Sequence, residues 1–143
     1  MSGIAHTVHV SDGGFMARML SLVHVDLQPL MDNIGGIVES QSQYRVEEEK
    51  KAPDGTDWQE WSDSDAATRH ENQSLLMSAG HLRDSIQHET DTLQTEIGSN
   101  LIYAGVHQEG MGRIPARPYL GIGFEDEKEI ESTITEWIRG LMR

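Results

Sequence analysis

The chain has no cysteine, which excludes disulfides and thiolate chemistry and fits a reducing compartment. Basic residues are scarce. Eleven Lys and Arg stand against 24 Asp and Glu, a net charge of −13. A surface of that sign is poorly suited to a phosphate backbone or an anionic membrane, both of which need clustered Lys and Arg. No apolar run approaches the roughly 18 residues of a membrane span. The start, Met-Ser-Gly-Ile-Ala-His, lacks the basic and apolar regions of a signal peptide. The expectation is a soluble chain, made in the cytoplasm, without membrane partners. Apolar residues make up only 36% of the 143, low for a self-sufficient globule. That points to surface buried against partners or to a long exposed helix and loop. One domain spanning 1–143 is the reading of this length.

Catalytic signatures are equally thin. His6 and His9 lie three apart on a strand-like run and so face opposite sides. His70-Glu71 lacks the second histidine of H-E-x-x-H. His81, His88 and His107 can meet only through tertiary folding, without a cysteine to help. The carboxylates run together as Glu47-Glu48-Glu49 and Glu125-Asp126-Glu127, which read as solvated loop and helix start. No G-x-S-x-G elbow and no G-x-G-x-x-G turn is present. The expectation is a protein with no metal, no cofactor and no enzymatic activity.

Local patterns outline the elements. Ile4 to Val10 is β-prone and closes at Ser11-Asp12-Gly13-Gly14, where Ser11 or Asp12 can cap a helix. Met16, Leu20, Val23, Leu27, Met31, Ile34 and Val38 then mark one helical face over about six turns. Pro29 inside that pattern predicts a kink or break, and Gly35-Gly36 stands near its end. Residues from about 45 to 64 are polar and predict a mobile loop, anchored by Trp58 and Trp61. A weaker helix runs from Ser64 to Ala79, capped by Ser62 or Ser64 and stopped by Gly80. Residues 82–90 and 92–98 read as a hairpin. Ser99 or Asn100 caps a short helix that ends at Gly110, and Tyr119 to Ile122 is a candidate last strand. The final helix carries Ile130, Ile134, Trp137 and Leu141 on one face, with acids in its first turn and arginines in its last. Strands and helices without βαβ alternation give an α+β fold: a small antiparallel sheet with a long N-terminal helix and a C-terminal helix packed on it.

Pro115-Ala116-Arg117-Pro118 is a stiff strut, because each proline fixes its own φ and extends the residue before it. Such a strut either joins the hairpin layer to the last helix or presents backbone to a neighbour. Arg113 and Arg117 beside it read as ion-pair partners of the abundant carboxylates or as inter-subunit contacts. Trp137 continues a helix stripe and belongs to the core. Trp58 and Trp61 suit core packing and partner docking equally.

The stretch Ile97 to Gly121 reads I-G-S-N-L-I-Y-A-G-V-H-Q-E-G-M-G-R-I-P-A-R-P-Y-L-G. Upstream lie P-D-G-T-D-W from Pro53 to Trp58 and L-L-M-S-A-G-H-L-R-D-S-I from Leu75 to Ile86. These three blocks, in this order, resemble the phage virion morphogenesis (tail completion) family of Mu-like and related tailed phages. They cover most of the chain from residue 53 onward; the first fifty residues match only in apolar pattern. The resemblance implies a structural protein of the head–tail connector, of tail completion or tail terminator type. It would form a ring, commonly six-fold, at the tail end of the virion neck. Its partners would be its own copies, the tail tube and the head-completion or connector proteins, with DNA passing through the lumen unbound. The expected subunit contacts are His107, Gln108, Arg113, Pro115, Arg117, Pro118 and Tyr119, joined by Trp58 and Trp61. Substituting Arg117 and Tyr119 together is then expected to leave the monomer folded but block head–tail joining. The alternative is an acidic adaptor or DNA mimic acting on a host or phage protein. A mimic gathers charge on one face, whereas these acids are scattered over loop, hairpin and helices.

Overall fold

The computed structural model describes residues 3–9, 26–69, 73–77 and 80–142. In chain order the elements are β1 (Ile4–His9), α1 (Gln28–Tyr44), a π-helical turn (Arg45–Glu49), α2 (Asp63–Ala66), α3 (His81–Ser85), β2 (Gln87–Thr90), β3 (Gln94–Ser99), α4 (Ala104–Glu109) and α5 (Phe124–Leu141). The fold is α+β. The sheet is antiparallel in the order β1-β3-β2, with Ile97 opposite both His6 and His88. Helix α1 packs on the sheet, and α5 packs on α1 in turn.

The expected hairpin is present, but its first arm is shorter. Residues 81–85 are helical because Gly80, at φ +80°, turns the chain and accepts the Asp84 N–H at 2.9 Å. The Ser85 hydroxyl adds a bond to the Leu82 carbonyl at 2.7 Å. Extended pairing begins only at Gln87.

Pro29 does not kink α1 within the described residues; it stands in the first turn, where its missing N–H has no helical partner to lose. The stripe continues through Met31, Ile34 and Val38, each no more than 2% exposed. Each such side chain stabilises the packing by about 1.5–3 kcal/mol. Met16, Leu20, Val23 and the caps Ser11 and Asp12 lie outside the described residues. Gly35 sits mid-helix rather than near the end. A Cβ there would fall 2.3 Å from Thr95 Oγ1 and 2.5 Å from His88 Cδ2, so glycine lets α1 approach the hairpin closely.

Three further expectations change. Residues 45–49 continue α1 as a helical turn instead of opening the loop, since Val46 is fully buried. Among the described residues the helix predicted over 64–79 is reduced to α2, capped by the Ser62 hydroxyl, while 70–72 and 78–79 lie outside them. Ser74 and Met77 instead close a turn with reciprocal backbone bonds of 2.8 Å, and Lys50 Nζ donates to the Leu75 carbonyl at 2.8 Å. Residues 119–122 join no ladder; a side chain, described below, takes the place of a partner strand.

Candidate functional site

The segment predicted to meet partners, 107–121, is built on α4. Ser99 Oγ accepts the Leu101 N–H at 3.1 Å ahead of the helix. Gly110, at φ +81°, ends it and donates to the Val106 carbonyl at 2.7 Å. The chain reverses through Met111 and Ile114, whose backbones exchange bonds of 3.0 and 2.9 Å. The proline strut then runs back along α4, and the Arg117 N–H bonds the His107 carbonyl at 2.7 Å.

Gln108 does the work of a β-strand. Its Oε1 accepts the N–H groups of Tyr119 and Leu120 at 3.0 and 2.9 Å, and its Nε2 donates to the Leu120 carbonyl at 3.0 Å. One amide thus satisfies three backbone groups that a sheet would otherwise have to pair. Tyr119 is fully buried and donates its hydroxyl to the Ala104 carbonyl at 2.8 Å. Burial raises the pKa of that phenol.

The other predicted residues divide by exposure. Trp58 is buried and donates Nε1 to the Pro118 carbonyl at 2.7 Å. Arg117 is buried as well, its Nε donating to the Gln59 carbonyl at 2.8 Å. These two side chains clamp the 58–60 loop to the strut. Arg117 and Tyr119 therefore sit inside their own chain, and substituting both removes internal packing; the expectation that the monomer would be left folded is corrected here. Trp61 and the two prolines are half-buried. Arg113 is exposed and pairs with no carboxylate among the described residues. His107 lines a cavity; its Nδ1 is buried without a hydrogen-bond partner among the described residues. Desolvation, then the charge of Arg117, lowers its pKa.

Beside the exposed Glu109 and Arg113, this segment and the residues ahead of it also turn apolar side chains outward. Ile102 and Tyr103 precede α4 and Met111 and Ile114 follow it, with Ile102 79% and Met111 65% exposed. Sequence reasoning missed both these exposed side chains and the buried pair that holds the strut's far end. Arg45 and Asp126 form an ion pair, and Arg45 Nη1 also donates to the carbonyls of Tyr119 and Gly121 at 3.1 and 3.2 Å. The available signal was spacing: Ile34, Val38, Ser42 and Arg45 continue one helical stripe, placing a cation on a buried face. Among the described residues no helix is long and apolar enough to cross a membrane.

A rigidly braced turn tipped with exposed apolar side chains is the kind of feature by which a structural protein meets a neighbour. The phage virion morphogenesis family matches residues 14–139, and the chain belongs to that family. Its role lies in assembling the virion. The chain is similar to a protein of Escherichia phage Mu named "Putative capsid assembly protein G", 34% identical over 109 residues that cover 67% of this chain and 70% of that one. No solved structure matches it at a significant level.

Proposed function

We propose that the chain is a non-catalytic subunit of the head–tail connector that forms a ring at the tail end of the neck and lets a DNA-filled head join a completed tail. The observation that carries this reading is the 107–121 segment. It is held from within by Gln108, Arg117 and Tyr119, and it offers Met111 and Ile114 outward at little further entropic cost. Family membership supports the same role. An acidic lumen would repel passing DNA rather than bind it. The words "capsid assembly" in the name of the Mu relative favour a second reading, a position on the head side of the neck.

Removing the chain from an infecting phage tests both. Unjoined DNA-filled heads and complete tails should accumulate, and a density map of intact necks should place a ring of this chain at the tail end. A ring bound to the head side would establish the second reading. Normal joining without the chain would overturn both.

A further inference from the structure

A half-open cavity of about 280 Å3 lies between the 61–69 segment, residues 74–77 and 80–82, and the start of α4. Its wall combines Trp61, Tyr103 and Met77 with Arg69, Arg117 and His107. No carboxylate lines it among the described residues, in a chain that has 24. The carboxylates whose charge reaches Arg117, Glu60 and Asp65, stand outside the wall. Arg117 bonds carbonyls of Gln59 and Glu60 through Nε and Nη2, and its Nη1 bonds no described residue. Arg69 lies over Trp61, 5.1 Å from the ring centroid. The wall is apolar on one side and carries two guanidinium groups on the other.

The complementary shape is on the same chain. Phe124 is 68% exposed at the start of α5, and the exposed Glu125 follows it. Lys128 stands over the ring at 4.5 Å and pairs with the Glu125 carboxylate at 3.9 Å; all three side chains are exposed, so docking exchanges that solvent-screened pair for the guanidinium groups of the cavity. A phenyl ring needs a cavity of only about 150 Å3, which leaves room here for a carboxylate beside it.

We propose that the cavity receives Phe124 and Glu125 of a second copy of this chain, the ring against Trp61 and Tyr103 and the carboxylate between the guanidinium groups of Arg69 and Arg117. This rests on the ring reading above and supplies its contact. Two unlike patches on one chain make a heterologous interface, which closes into a ring when the rotation allows. It also answers how copies of charge −13 associate: a close ion pair acts within a few ångströms, while repulsion between distant acids is screened beyond about 8 Å.

The test uses phage carrying the full chain. R69E and E125R should each lower the yield of infectious particles at least about tenfold, and R69E/E125R should restore it to within about threefold, the signature of a charge pair across an interface. Both positions are exposed, and circular dichroism of the purified variants checks that they fold. The chain has no native cysteine, so co-producing R69C and E125C and oxidising purified virions mildly should give dimers of one R69C and one E125C copy. If a lysine-reactive cross-linker joins copies but that disulfide never forms, the cavity contact is overturned and the ring reading stands. If neither links two copies, the ring reading falls and this contact with it.

Discussion

Arg45 and Asp126, 81 positions apart in the chain, form an ion pair with neither side chain more than 4% exposed. Asp126 also accepts the Gly123 N–H at 2.9 Å, capping α5. The guanidinium holds the carbonyls of Tyr119 and Gly121. One pair therefore fastens the end of α1, the end of the strut and the start of α5.

Removing one partner leaves a buried charge without its complement, which costs about 3–5 kcal/mol. R45M and D126L should each lower unfolding free energy by that order in urea titrations. R45M/D126L should be more stable than either alone, because two apolar side chains carry no desolvation penalty. Additive losses would show that the pair is not the unit of stability.

Q108A leaves three backbone groups of the strut without their bonds. At about 1 kcal/mol per bond the loss is about 2–3 kcal/mol. Q108E should recover only part of the loss, since a carboxylate still accepts the two N–H groups but cannot donate to the Leu120 carbonyl. Denaturant midpoints followed by tryptophan fluorescence measure this, because Trp58 bonds the same strut.

The two glycines of α1 should behave oppositely. G35A drives a methyl group into Thr95 and His88 and should destabilise, whereas the nearest atom to a Cβ at Gly36 is 4.0 Å away. G36A should stabilise by about 0.5–1 kcal/mol through helix propensity alone. Thermal melts of the two variants check the contrast.

His88 bridges α1 to β2, with Nε2 2.9 Å from Asp32 Oδ1 and Nδ1 on Glu39. Desolvation pulls its pKa down, but hydrogen bonds and charges from Glu39 and Asp32 outweigh it and leave it raised above 6.5. The stabilisation is therefore fully present below pH 6.5 and is lost as pH rises through the raised folded value. Asp32, lowered from 3.8 by bonds from Thr90 and then His88, contributes above that value and loses its share as pH falls through the lowered one. His107 opposes His88, since its lowered pKa makes protonation favour unfolding. H88Q should thus flatten the decline in stability above pH 6.5 and leave the effect of His107, which lowers stability as pH falls below 6.5, in place. Urea midpoints across pH 5 to about 9 measure it; an unchanged slope for H88Q would contradict the assignment.

Mobility across the 45–64 segment should concentrate at its tip. Val46, Ala52 and Trp58 are buried, while Asp54, Gly55, Thr56 and Asp57 are exposed. Hydrogen exchange should be slow at Val46 and at the Lys50 N–H, which bonds the Arg45 carbonyl at 2.9 Å, and fast at Asp54 and Asp57. Uniformly fast exchange from 45 to 57 would instead return the whole stretch to an open loop.

The sequence by itself determined the α+β class, the hairpin around Asp91, the stop at Gly110 and the C-terminal helix. Each follows from a local pattern: alternation in strands, glycine where φ is positive, one apolar stripe per helix. The order of the three motifs from residue 53 onward carried the family resemblance, and the first fifty residues added only an apolar pattern. Tertiary structure alone decided the rest. Gly35 is in mid-helix because of Thr95 and His88, 60 and 53 positions on, and residues 45–49 stay helical because Val46 faces the core. Tyr119 and Leu120 need no partner strand because an amide eleven and twelve positions earlier reaches their backbone. Arg45 is buried because Asp126 and two carbonyls receive it. Buried polar groups choose partners by proximity in the folded chain, and no periodicity along the sequence encodes which group that will be.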